Sequence, residues 1–155
     1  MVVKAFVDTN ILLRALLIDM DLHTPAAMLI RRMLEEGAEL WISGQVIREF
    51  IVQATHPRTL NQPLTMTEVI AEINKVAPLF QIADETAQVR AKLLELLEAY
   101  PTRGKQVHDA NIVATMLVNG IDTLLTINVD DFRRFDDQIK LLTLGDTALG
   151  AAFEL

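Results

Sequence analysis

Short apolar runs that stop abruptly at an acidic or amide side chain constrain this chain more than any other feature. The contexts are Val7-Asp8-Thr9-Asn10, Arg48-Glu49-Phe50, His108-Asp109-Ala110 and Thr126-Ile127-Asn128-Val129-Asp130-Asp131-Phe132. A run such as Val2 to Val7 reads as a buried strand, and a carboxylate at its end is costly to desolvate unless it has a partner or a task. Several such carboxylates in one chain point to a metal site.

Between these runs lie longer amphipathic stretches. Thr9 or Asn10 can cap a helix through Ile18, and Thr24 followed by Pro25 has the order of a helix start for residues 25 to 36, with Gly37 as its stop. Glu39 to Ile42 reads as a strand, and Ser43 opens a helix to about Ala54. Thr65 with Glu68 forms a capping box for a helix to about Ala77, closed by Pro78. Leu79 to Ile82 is strand-like, Asp84 to Ala99 helical, and Pro101 to Lys105 a basic turn. A further helix covers residues 108 to 118, with Gly120 at its end, and Thr123 to Thr126 and Ile139 to Thr143 complete the strands. The alternation implies a mainly parallel sheet with helices on both faces. No linker divides the 155 residues, so one domain spanning 1–155 is expected.

Composition narrows the chemistry. The chain is 51% hydrophobic and 23% charged, as globular chains are, and it has no cysteine, so any metal must be held by oxygen or imidazole. A net charge of −7 argues against broad binding to phosphate backbones, which Lys and Arg supply. Attraction to a nucleic acid would have to be local. The first residues lack the apolar length of a signal peptide and no later stretch has membrane-spanning length, so a cytoplasmic protein without membrane contact is expected. Mean hydropathy is +0.28, and Leu-, Ile- and Met-rich helices such as the one through Ala26 to Leu34 suggest self-association as a twofold dimer.

Ligands of open α/β sheets bind beyond the carboxyl ends of the strands. Asp8 lies just past the first strand, and Asn128, Asp130 and Asp131 just past the Thr123 to Thr126 strand. Asp109 shares a helix face with Ile112, Val113 and Met116, and Glu49 with Val46, Phe50 and Gln53, so both lean toward the sheet. A helix N-terminus would help keep Asp109 ionised. Carboxylates gathered this closely repel one another, and a divalent cation removes the conflict. Oxygen ligands suit Mg²⁺ or Mn²⁺, which can activate water at a phosphodiester without a histidine base. No nucleophile elbow, Walker loop or dinucleotide glycine pattern competes.

Taken together, Val7-Asp8-Thr9-Asn10, Glu49 after the second strand, His108-Asp109-Ala110 and Leu124-Leu125-Thr126-Ile127-Asn128-Val129-Asp130-Asp131-Phe132 resemble the PIN domain, especially the toxin ribonucleases of the VapC type. The resemblance runs through nearly the whole chain. It implies a three-layer α/β/α sandwich, an Mg²⁺- or Mn²⁺-dependent endoribonuclease acting on single-stranded RNA, and a small antitoxin protein as partner. By the same resemblance Asp8, Glu49 and Asp109 are the acidic ligands, with Thr126 and Asn128 completing the pocket. By the resemblance many relatives carry Asp where this chain has Asn128, so a fourth carboxylate would come from Asp130 or Asp131 or be absent, with Asp131 as the expected ligand.

Plainer readings stand beside these. Asp8 and Asp109 could cap helices, Glu49 could be solvated, and Asn128 to Asp131 could form an ordinary turn. Arg103 and Lys105 could be a solvated loop or could contact phosphate. The alternative functions are a noncatalytic RNA- or protein-binding module and an α/β phosphoryl-transfer protein. The latter lacks a suitably placed Lys, since Lys140 falls inside a strand.

Overall fold

A computed structural model describes residues 2–145. The strands are β1 (Lys4–Val7), β2 (Glu39–Ser43), β3 (Gln81–Ala83), β4 (Thr123–Leu125) and β5 (Lys140–Leu142). All pair in parallel, in the order β3-β2-β1-β4-β5. Ala5, Phe6 and Val7 of β1 and all three residues of β4 are buried, as central strands covered on both faces must be.

The helices are α1 (Thr9–Leu16), α2 (His23–Glu35), α3 (Gly44–Ala54), α4 (Met66–Val76), α5 (Ala87–Ala99), α6 (Gln106–Val118) and the single turn α7 (Val129–Phe132). From β1 the chain steps outward to β2 and β3, then crosses back to β4 and β5. Right-handed crossovers therefore place α1 to α4 on one face and α5 and α6 on the other. The packing agrees: α1 contacts α2 and α3, α3 contacts α4, and α5 lies against α6. This is the expected α/β/α sandwich. Its strand order reverses between β1 and β4, which is where open α/β sheets bind ligands.

Several boundaries differ from the sequence expectation, each for a local reason. Asp8, with extended backbone, takes the cap position of α1 in place of Thr9 or Asn10. The helix ends at Leu16, and Ile18 is 77% exposed. α2 starts at His23 because Leu22, at φ 59°, turns the chain through the left-handed region. Thr24 and Pro25 then fall in its first turn, where a missing N–H is harmless. α5 begins only at Ala87, because the Thr86 hydroxyl caps it by accepting from the Val89 N–H. Pro78 sits in a 3-10 turn, Ala77–Leu79, which delays β3 to Gln81. β4 ends at Leu125, leaving Thr126 beyond the strand. The Ser43 cap and the Thr65/Glu68 box are as expected. Residues 146–155, included in the single-domain expectation, lie outside the described residues. Among the described residues no helix is long and apolar enough to cross a membrane.

Candidate functional site

Asp8 leaves β1 at the strand-order reversal and is buried. Its Oδ1 accepts from the Thr9 N–H at 2.8 Å. Its Oδ2 accepts from the Thr126 hydroxyl at 2.8 Å and from Asn10 Nδ2 at 3.1 Å. Thr126 is itself fully buried, and its hydroxyl also accepts from the Asn128 N–H at 3.1 Å and from Asn10 Nδ2 at 3.4 Å. A hydroxyl has one donor and two lone pairs, so Thr126 is fully occupied in orienting Asp8. Asn10 Oδ1 accepts from the Ile127 N–H at 3.1 Å, closing the link between the ends of β1 and β4. Burial nevertheless dominates: it pushes the Asp8 carboxyl up to about 6, with Glu49 adding to the rise and the Thr126, Thr9 and Asn10 hydrogen bonds opposing it.

Glu49 comes from α3, whose Val46 and Phe50 are buried while Gln53 is exposed, so its face leans toward the sheet over only part of its length. Both carboxylate oxygens are held. Oε2 accepts from the Thr9 hydroxyl at 2.6 Å and Oε1 from Gln45 Nε2 at 2.9 Å. Thr9 therefore bonds both acids, its N–H reaching Asp8 and its hydroxyl Glu49.

Asp109 occupies the first turn of α6, above the buried Ile112, Val113 and Met116. Among the described residues no side chain or backbone N–H outside the helix donates to its carboxylate. Burial, then the negative charge of Asp131, then that of Asp8, raise its carboxyl to about 7; Glu49 adds to this, and Arg134 works against it. The helix N-terminus therefore does not keep Asp109 fully ionised at neutral pH, because burial and crowding outweigh it. Asp131 is exposed but close enough to Asp109 to act on it. The Arg134 guanidinium donates to the carbonyls of Asp131 at 2.7 Å and Gln106 at 3.2 Å, fastening α7 to the start of α6. It also lies over the Phe135 ring, 4.7 Å from the centroid.

The rim thus joins Asp8, Glu49 and Thr126 through hydrogen bonds, and Asp109 and Asp131 through mutual repulsion. Asn128 enters only through its backbone N–H: its side chain is exposed, stands at the cap position of α7 and makes no capping bond. Asp130 is turned away to Arg133 at 2.7 Å. The sequence reading missed Gln45, Asn111 and Arg134. Only Gln45 carried a signal, its spacing of four from Glu49.

The donor set is all oxygen, and burial, with the charge of acidic neighbours, raises two of its carboxyls, so a divalent cation fits the chemistry here. Among the described residues, however, no three Asp, Glu or His groups converge closely enough to cage one ion.

The sequence model of the PIN domain matches residues 5–138, a span that contains every rim residue named above. No curated protein sequence matches the chain. Among solved structures, VapBC-1 from nontypeable Haemophilus influenzae shares 17% identity over 90% of this chain and 97% of that one, with a TM-score of 0.65. The VapC20 toxin of Mycobacterium tuberculosis, which cleaves the sarcin-ricin loop, shares 19% over 82% and 92%, with a TM-score of 0.59. A toxin-antitoxin complex from Klebsiella pneumoniae shares 22% over 83% and 90%, again at 0.59. At these identities the likeness is one of fold. With the family pattern extending over most of its length, the chain belongs to the PIN domain family.

Proposed function

We propose that this chain is a metal-dependent endoribonuclease acting on single-stranded RNA, and that it serves as the toxin of a toxin-antitoxin pair. The observation that carries the reading is the pair of rim carboxylates, Asp8 and Asp109, raised to about 6 and about 7 by burial and by their acidic neighbours. Perturbed acids gathered at a sheet's switch point mark a functional site. Asp8 and Asp109, with Glu49 and Asp131 beside them, would hold Mg²⁺ or Mn²⁺. When bound, the ion supplies water activation and charge stabilisation at the scissile phosphodiester.

The remaining work falls to the chain. Thr126, Asn10 and the Thr9 N–H fix the Asp8 carboxylate, and the Thr9 hydroxyl fixes Glu49. Arg134 moderates the negative charge around Asp109. The exposed Arg103 and Lys105, just before α6, give a net acidic protein a local grip on phosphates. The structural relatives support an antitoxin partner, one of them being described as a toxin-antitoxin complex; by the family resemblance that partner would be small and would block the rim. Exposed Met28, Val52 and Ile70, on the face formed by α1 to α4, support the reading of a homodimer, and a cytoplasmic location completes the proposal.

A noncatalytic RNA- or protein-binding module is the second reading, favoured by the absence, among the described residues, of a three-membered ligand group. One assay separates them. Metal-free protein and its Asp8→Asn variant are incubated with mixed RNA, then given Mg²⁺, Mn²⁺ or chelator. Cleavage by the wild type alone, stopped by chelator, is expected; equal cleavage by both, or cleavage that persists in chelator, overturns the catalytic reading.

A further inference from the structure

Gln45 is a polar side chain almost entirely out of solvent, 4% exposed, and each of its hydrogen-bonding atoms is committed. Its Nε2 donates to Glu49 Oε1 at 2.9 Å, one turn along α3, and also to the backbone carbonyl of His108 at 2.9 Å, in the turn of α6 that carries Asp109. Its Oε1 accepts from Asn111 Nδ2 at 2.8 Å. Asn111 Nδ2 donates in turn to Glu85 Oε1 at 2.9 Å, and Glu85 lies 3.6 Å from Arg48. α3 and α6 come from opposite faces of the sheet, so this one amide bridges the two helix layers above the strand ends.

Chemistry fixes which way the amide faces. A carboxylate and a carbonyl can only accept, so the nitrogen must face Glu49 and His108, and the oxygen is left for the Asn111 donor. Asn111 is held in that sense because its other neighbour, Glu85, also only accepts. A continuous chain of hydrogen bonds thus runs from Glu85 through Asn111 and Gln45 to Glu49. The last torsion of a Glu side chain is broad, so a carboxylate gripped at one oxygen still swings. Glu49 is gripped at both, by Thr9 and by Gln45.

We infer that Gln45 is a positioning residue, anchored at its oxygen by Asn111, that locks Glu49 and ties it to the Asp109-bearing turn of α6. The inference rests on the metal-dependent reading for its effect on catalysis, but the brace has a consequence without metal as well. Outer partners of metal-binding groups typically contribute about 10- to 100-fold to metal affinity or activity. Gln45→Leu, which keeps the volume and removes the donors, should weaken Mn²⁺ binding and lower kcat by factors in that range while leaving KM nearly unchanged.

The test titrates the full chain with Mn²⁺, measures kcat and KM on mixed RNA, and follows amide hydrogen exchange in the metal-free protein. Gln45→Leu, Asn111→Ala and the double variant are compared. Asn111→Ala should have a smaller effect, and the double variant should be no worse than Gln45→Leu, because Asn111 acts through Gln45. Should Gln45→Leu fail to fold, the milder Asn111→Ala, at a part-exposed position, carries the same comparison. Wild type that binds Mn²⁺ alongside a Gln45→Leu variant that binds it equally would overturn the brace and leave the metal reading intact. Wild type that binds no Mn²⁺ would end the metal reading, and the brace would be judged on exchange alone: the Ile112 N–H, bonded within α6 to the His108 carbonyl, should exchange several-fold faster in Gln45→Leu, and an unchanged rate would overturn it.

Discussion

The Thr126 hydroxyl donates to the Asp8 carboxylate at 2.8 Å, joining two residues 118 positions apart at the carboxyl ends of adjacent strands. Because this bond holds the Asp8 carboxyl down against the effect of burial, Thr126→Val should push it above its value of about 6. A carbon-13 carboxyl titration would show the shift. Loss of a buried bond to a charged group should also cost about 1.5 to 3 kcal/mol at pH 8, where Asp8 is ionised. Thr126→Ser, which keeps the hydroxyl, should retain the wild-type titration.

Asp109 offers a second test, through stability. Its folded-state carboxyl is raised to about 7, so the native chain holds this proton more tightly than the unfolded chain does. Its ionisation therefore works against folding, by an amount that grows as pH rises from about 4 and is complete above about 7. In metal-free protein, Asp109→Asn should raise stability at pH 8 by about 1 kcal/mol, after allowance for solvent screening of a half-buried group, and should do nothing at about pH 4. Urea unfolding at the two pH values reads the difference directly. Lower stability of the variant at pH 8 would contradict the electrostatics described here.

Metal binding should show the same groups from the other side. Mn²⁺ competes with the protons on Asp8 and Asp109, so its affinity should climb between about pH 5 and about pH 8 and then level off, with protons released on binding. At pH 8 and 100 times its dissociation constant, Mn²⁺ should add about 2.7 kcal/mol to stability. Asp8→Asn should lose most of that increment. Calorimetry in two buffers of different ionisation heat measures the proton count.

Asn128→Asp probes the position where the resemblance to the PIN domain leads one to expect an acid. The side chain is exposed and makes no capping bond, so substitution should disturb no packing. A carboxylate beside Asp131 should tighten Mn²⁺ binding several-fold and push Asp109 higher in the metal-free state. Unchanged affinity would mark Asn128 as a turn residue only.

How much of this was legible in the sequence depended on how far each signal reached. The Ser43 cap and the Thr65/Glu68 box were readable because donor and acceptor lie within three residues of one another. Asp8, Glu49 and Asp109 stood out because each interrupts or flanks an apolar pattern. Gln45 did not, since its reach to the His108 carbonyl spans 63 positions and exists only once α3 and α6 have packed. Arg134 carried no local signal, because the Gln106 carbonyl that its guanidinium holds lies 28 positions away. The start of α2 was misread because nothing in the sequence marks Leu22 as the residue that adopts a left-handed backbone.

The reversal of strand order between β1 and β4 bears on when the rim can form. Asp8 precedes Thr126 by 118 positions, so it is synthesised well before the β4 strand that seats beside β1 is complete. N-terminal segments begin to fold first, but non-local parallel pairing waits for its second strand. A nascent or truncated chain that stops short of Thr126 therefore carries the acids without the place where they meet. The rim is a late product of the chain's own synthesis, assembled only when β4 docks beside β1.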